Sequence, residues 1–294
     1  LGYLILLLSK HEKFYIWIFQ GLVFSGIVVI FRVFLTVSIG ELFNTRLGYQ
    51  VNLNPTDFGN KFAFLSMLTI YGLFAFKNYR ASNLFLTVLF IFFTLLSGSR
   101  KSILAISIFV IVLFITRKLS LKNFFKYAIS AFLFLFILYY IVFEIPSIYQ
   151  LIGVRIDQLL NYFSSNGIVD NSTYTRIAML EKGFQLISEK PIIGWGIHSF
   201  SFLTTHAYSH NNFVEITVGL GLIGFTVYYW LYLTIALRLY KRRKLITNYP
   251  LYISLLVTLI FIETGQVTYY TEIYISLIAV LYSVAYRKTV IYND

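Results

Sequence analysis

Runs of apolar residues recur along this chain, each about as long as a helix needs to cross a bilayer core, roughly 20 residues, with loops carrying lysine and arginine between them. In lipid every backbone N–H and C=O must find its partner within the protein, and a helix does this inside one segment. Hydrophobic residues make up 58% of the 294 residues and aromatics 19%, with a mean hydropathy of +0.75. A soluble domain of this size carries more polar surface than that composition supplies. The expected fold is therefore all-α, a polytopic transmembrane helical bundle.

The runs place spans at Phe14–Ser38, a second ending at Phe76, then Leu84–Leu96, Ile103–Thr116, Tyr127–Ile145, Phe213–Leu237, Leu251–Val267 and Ile273–Tyr286. That is eight full spans plus an N-terminal partial span, because Leu1–Ser9 is too short to cross. The sequence starts with Leu1 and is expected to begin inside a helix of a longer protein. Three regions follow: N-terminal helices over 1–145, a long loop over 146–211, and C-terminal helices over 212–294.

Charge orients these spans. If the loops at Lys77, Arg117, Arg238 and Arg287 face the cytoplasm, that side holds 15 of the 24 basic residues and only Glu12 and Asp294 among the acids. Basic residues concentrate on the cytoplasmic side of membrane proteins. The same alternation puts Glu41–Asn60, Ser97–Lys101, Pro146–Asn211 and Thr268–Thr271 outside. It also explains the formal charge of +12 and the RLYKRRK cluster at Arg238–Lys244 without nucleic acid, since no aromatic-interleaved soluble domain accompanies the cluster. There is no cysteine, which excludes disulfides, thiolate metal sites and thiol nucleophiles.

The long outer loop is the one place for a substantial extramembrane fold. Within it Ile177, Leu180, Phe184 and Ile187 recur at helical spacing over Thr173–Glu189, with Asn171, Ser172 or Thr173 as caps and Pro191 as the stop. An amphipathic helix on the membrane surface or against the helices is expected.

Eight basic residues fall outside: Arg46, Lys61, Arg100, Lys101, Arg155, Arg176, Lys182 and Lys190. Lys61, Lys182 and Lys190 read as solvated or snorkelling to headgroups. Arg100, in SGSRKS, is held in a minimal turn at the membrane surface, where its guanidinium can grip a lipid phosphate with two parallel hydrogen bonds. Arg176 lies in the first turn of the loop helix, where a cation opposes the helix dipole, so an anion shared with the helix N-terminus accounts for it better than helix stability does. Arg155 has Asp157 close by and is either an ion pair or a substrate contact. Arg32 lies within a span, with Glu263 as a candidate partner.

Three of the four histidines, His198, His206 and His210, lie in GWGIHSFSFLTTHAYSHNNFVEITVGLGLIG, Gly194–Gly224. They are not a metal site: there is no HExxH and no carboxylate cluster with them. His210, heading a span on the side of the outer arginines, is instead placed as a general base, because neutral imidazole is available near pH 7 to take a hydroxyl proton. The GxGxxG at Gly219–Gly224 has no preceding strand, so it is not a dinucleotide loop; its glycines read as permitting close helix packing.

His210-Asn211, nine residues, then Gly221-Leu222-Ile223-Gly224 resembles the HN-x9-GxxG signature of the bacterial O-antigen ligase and polysaccharide polymerase superfamily. KPIIGWGIHSF is similar to that family's P-(L/I)-x-G-x-G-x-x-x-F element, SGSRKS to its Ser-x-Ser-Arg turn, STYTRIAM to its arginine-bearing loop helix, and TRLGYQVNLNPTDFG to its outer Arg and Asn-Pro-Asn stretch. Thr56 stands where that stretch has its last Asn.

The resemblance implies a metal-independent membrane glycosyltransferase with no cofactor, acting on undecaprenyl-diphosphate-linked glycan donor and acceptor at the extracytoplasmic face of the bacterial cytoplasmic membrane. It gives Arg100 and Arg176 the diphosphate, His210 the acceptor hydroxyl, and Asn211 and Glu215 its orientation, with Arg46 and Arg155 as further substrate contacts. The expected activity is polymerisation of repeat units for capsule, exopolysaccharide or O-antigen, with a chain-length regulator and a flippase as partners. A ligase passing the finished glycan to a lipid core or protein shares the motif. A transporter or flippase fits less well, because its ionisable groups belong at the bilayer midplane.

Overall fold

The computed structural model of the chain describes residues 14–38, 41–42, 46–117, 136–137, 139–140, 143–146, 149–150, 171–246 and 248–287. The regular elements with bounds among these are helical, and none is a strand. The chain divides into two compact units, one over Tyr15–Ile168 and one over Leu1–Phe14 with Val169–Asp294. The expected span Tyr127–Ile145 and the loop segment with Arg155 lie largely or wholly outside the described residues.

The first unit holds α1 (Phe14–Thr36), α2 (Pro55–Ala75), α3 (Arg80–Leu96) and α4 (Arg100–Thr116). Its central helix is α2, which packs along α3 and α4. The Asn-Pro pair starts it: Asn54 accepts the Thr56 N–H at 2.9 Å, and Pro55 sits at the first turn, where its missing N–H leaves no donor unsatisfied. Small residues let neighbours approach α2 closely. A Cβ on Gly59 would lie 2.4 Å from Ser97 Oγ, and one on Gly72 would lie 2.6 Å from Asn83 Oδ1. Between these points the core is aromatic, with Phe62 stacked on Phe93 at 5.4 Å and tilted against Phe58 at 4.6 Å. Val23, Ile30 and Val33 of α1 close over it. A hydroxyl bond from Thr87 to Thr69, 2.9 Å, ties α3 to α2 where both are buried.

The second unit holds α5 (Asn171–Glu189), α6 (Ser199–Leu203), α7 (Asn212–Lys241), α8 (Tyr249–Glu263) and α9 (Glu272–Tyr286). The expected loop helix is present as α5, but its packed face is rotated from the one the apolar spacing suggests. Met179, Gly183 and Leu186 are buried, whereas Phe184 is 62% exposed. The cause is Gly183: a Cβ there would meet Val214 of α7 at 2.3 Å, so the helix seats on its glycine and not on its bulkiest residues. Phe200, Val214 and Val218 complete that core.

Basic residues fasten the far end of α7. Arg238 lies 3.8 Å over the Tyr286 ring and Arg242 donates to the Ala285 carbonyl at 2.7 Å, joining the C-terminal ends of α7 and α9. Cations also suit the last turn of a helix, whose carbonyls carry partial negative charge.

Three described helices are long and apolar enough to cross a membrane: Ile16–Thr36, Pro55–Ala75 and Asn212–Lys241. The helices Arg80–Leu96, Tyr249–Glu263 and Glu272–Tyr286 are apolar but have only 15 to 17 residues, about 22–26 Å of rise against a core of about 30 Å.

Candidate active site

The segment Ser97–Ser102 is a turn built from hydroxyls. Gly98 takes the left-handed conformation, φ 61°, that closes it. Ser99 caps α4 by accepting the Ser102 N–H at 3.4 Å, and Ser102 Oγ reaches both Ser99 Oγ and Asn60 Oδ1 at 2.7 Å. Arg100 therefore occupies the first turn of α4, half-buried, on a backbone with little freedom. Arg46 comes to the same turn by its Nε, which donates to the Ser97 carbonyl at 3.1 Å, beside a backbone bond from Leu47 to Leu96. Two of the expected substrate arginines are thus brought to one turn of one unit.

In the second unit His210 lies immediately before the N-cap of α7. It is one of three non-glycine residues with positive φ among the described residues, at 57°. The turn is fixed on both sides. Glu215, only 2% exposed, accepts the Ser209 N–H at 2.7 Å. Ser209 Oγ donates to the Asn211 carbonyl at 2.8 Å, and the Asn211 side chain caps the helix by accepting the Val214 N–H at 3.2 Å. The His210 ring rests against Tyr208, centroids 4.3 Å apart. Glu215 therefore braces the turn that carries His210, and Asn211 spends its carbonyl oxygen on the cap. The Asn211 amide goes to the Thr264 carbonyl at 3.3 Å.

The glycines downstream interrupt α7. Gly221 has φ 64° and ψ −170°, a conformation open only to glycine, so the helix stops after Leu220 and restarts at Leu222. The break frees backbone groups, and the Pro191–Gly196 segment takes them up. Trp195 and Gly196 donate to the carbonyls of Val218 and Gly219 at 2.8 and 2.7 Å, while Leu222 and Ile223 donate to the carbonyls of Pro191 and Ile192 at 2.8 and 3.2 Å. Side chains would prevent this latch: a Cβ on Gly221 would sit 2.1 Å from the Ile192 oxygen, and one on Gly194 would sit 2.5 Å from the Gly219 oxygen. The two glycine motifs that look separate in sequence are the halves of one backbone joint.

Behind His210, the connection between α8 and α9 is tied to the start of α7. Asn212, fully buried, accepts the N–H groups of Thr268 and Tyr269 at 2.9 and 3.1 Å. Glu263 takes Tyr228, Tyr232 and Thr268 on one oxygen and Tyr229 on the other. Its carboxylate, which the sequence offered to Arg32, is filled by hydroxyls of its own unit. The connection carries Tyr269 and Tyr270 to His198, whose ring lies 4.3 Å from Tyr270 and 6.3 Å from Tyr269. Burial pushes the Tyr269 hydroxyl pKa above its usual value, so it stays protonated.

Arg176 is exposed in the second turn of α5, two positions further into the helix than a start at Thr173 gives, because the helix already starts at Asn171. Arg155 lies outside the described residues. Asn212, Glu263 and the Tyr269–Tyr270 pair were not singled out as site residues from the sequence. Asn212 hides behind the cap that Asn211 provides, and no sequence pattern ties Glu263, Tyr269 or Tyr270 to the histidine segment. Among the described residues no three His, Asp or Glu side chains are grouped to hold a metal ion.

The family model described as O-Antigen ligase matches residues 85–229. No curated protein matches the chain. The matched stretch contains the Ser97–Ser102 turn, α5, the Pro191–Gly196 latch, His210 and the broken first part of α7; Arg46 precedes it. The match covers just under half of the 294 residues and is consistent with the O-antigen ligase and polymerase superfamily.

Proposed function

We propose that the protein is a membrane glycosyltransferase that polymerises undecaprenyl-diphosphate-linked oligosaccharide repeat units at the outer face of the membrane. The growing glycan leaves its lipid diphosphate and joins the acceptor hydroxyl of a new repeat unit. The observation that carries this reading is His210, held in a left-handed turn by Glu215 and Asn211 at the head of α7, in a segment matched by the O-antigen ligase family. A side chain held by buried supports at a strained backbone position is arranged for chemistry more than for packing.

In this reading an imidazole nitrogen of His210 takes the proton of the acceptor hydroxyl as its oxygen bonds to the anomeric carbon. The bond from that carbon to the diphosphate breaks, and its electron pair leaves on the phosphate oxygen. Arg100 and Arg176 neutralise that developing charge, which is the largest demand of such a step. Arg46 joins Arg100 at its turn, Arg155 is a further substrate contact, and Asn211 and Glu215 hold the base in place. The proton passes from His210 to water before the next cycle. No step requires a metal ion, and capsule, exopolysaccharide and O-antigen repeats share this chemistry. A chain-length regulator and a flippase supplying the outer face would be its partners.

Reconstitution into liposomes with a lipid-linked repeat unit tests the reading. Products sized on a gel should form a ladder spaced by one repeat, undiminished in a strong chelator. A single product, appearing only when a lipid core or protein acceptor is added, would identify a ligase instead. No transfer under either condition, with outward movement of the lipid-linked unit, would point to transport.

A further inference from the structure

The latch that repairs the break in α7 also fixes the loop that follows it. From Pro191 to Leu203 the chain has no Asp, Glu, Lys or Arg. It nevertheless turns its large apolar side chains outward: Ile192 is 62% exposed, Ile193 72%, Ile197 62% and Phe202 85%. The loop is anchored at two places: four backbone hydrogen bonds join Pro191–Gly196 to α7 on either side of Gly221, and Phe200 is buried in the core with Val214 and Val218. The carbonyls of Pro191 and Ile192 meet the N–H groups of Leu222 and Ile223, which open the part of α7 long enough to cross a bilayer and are themselves 52% and 56% exposed. The apolar surface of the loop is thus continuous with the apolar surface of the span. At its edge Lys190 lies 4.0 Å over the Trp195 ring, a pairing of cation and indole suited to the headgroup zone.

We propose that Pro191–Leu203 is a membrane foot: a rigid loop whose apolar edge inserts into the interfacial zone of the leaflet next to Leu222 and Ile223, with lipid as its occupant. This rests on reading α7 after Gly221 as a membrane span. A second protein is the weaker occupant, because the patch continues a lipid-facing helix and does not form a separate island. The foot carries His198 and leads into the turn of His210, so it sets the depth of the catalytic turn relative to the membrane surface.

The chain has no cysteine, so single labels are unambiguous. Spin labels on Phe202→Cys and Ile193→Cys are placed in nanodiscs of phosphatidylethanolamine and phosphatidylglycerol. Their collision rates are compared for oxygen, which concentrates in hydrocarbon, and for a water-soluble nickel chelate. Leu233→Cys on α7 serves as the lipid standard and Glu189→Cys at the end of α5 as the aqueous one. The proposal expects both foot positions to favour oxygen, closer to Leu233→Cys than to Glu189→Cys. A ratio like that of Glu189→Cys overturns it, and so does low collision with both reagents, which would mean that protein covers the patch. The substituted side chains are exposed, and an unchanged gel-filtration profile checks that each variant folds. No substrate is used, so failure of the glycosyltransferase reading would leave this result unaffected.

Discussion

His210 holds a left-handed backbone conformation that costs a non-glycine residue of order 1 kcal/mol or more, and three neighbours oppose its relaxation. Glu215 is the one whose removal exposes the arrangement. Glu215→Ala strips the buried Ser209 N–H of its partner and should destabilise the protein by about 1–3 kcal/mol. It should also lower turnover by more than the lost stability explains, because the proposed base is no longer held. Thermal unfolding in detergent beside a turnover assay measures both, and a stability loss with normal turnover would deny the bracing role. Glu263 tests burial without chemistry. Removing it as Glu263→Ala takes the carboxylate acceptor from three tyrosine hydroxyls and Thr268, leaving only the Tyr228–Tyr232 hydroxyl bond among them, a loss of about 3 kcal/mol or more, whereas Tyr228→Phe should cost about 1–2 kcal/mol. Of these residues, His210, Asn211 and Glu215 could be named from the sequence because a motif marks the cap of α7. Glu263 could not be paired with its tyrosine hydroxyls, because they lie 31 to 35 residues away and tyrosines in an apolar run carry no mark of a shared acceptor.

The loop helix and the glycine-rich helix show how far local pattern reaches at the scale of an element. Apolar spacing predicts α5 and its length well, but the face it buries is chosen by Gly183, since the closest approach to α7 is possible only where there is no side chain. The GxGxxG reads as close packing, and close packing is present at Gly219 and Gly221. What the pattern does not show is that the partner is backbone and that the helix breaks to receive it. Gly221→Ala should therefore destabilise by about 3 kcal/mol or more, combining the glycine-only conformation with the blocked Ile192 carbonyl. Gly21→Ala in α1, where an added Cβ meets nothing within 4 Å, should be neutral or stabilising by up to about 1 kcal/mol. Equal unfolding temperatures for the two variants would deny the latch.

At the scale of the molecule, the helical character of the described residues and their fitness for a membrane were legible because hydropathy and backbone satisfaction leave few other folds. The number of spans is a harder quantity: three described helices have the length, others are shorter than a bilayer core, and charge in the loops carries the rest of that argument. Cysteines placed at Ser172 and Arg243 should label from opposite sides of sealed vesicles; labelling from the same side would reverse the outer-face assignment. The arginines read in the sequence as cations that would bind an anion, and only the folded chain shows Arg46 drawn to the turn of Arg100 by the Ser97 carbonyl. The central claim is that His210 and Arg176 perform the transfer. It is tested most directly by sizing the products of reconstituted enzyme on lipid-linked repeat units. The ladder should fall by about 100-fold or more in His210→Ala and be strongly reduced in Arg176→Ala, with both variants folded. A full ladder surviving both substitutions would contradict it.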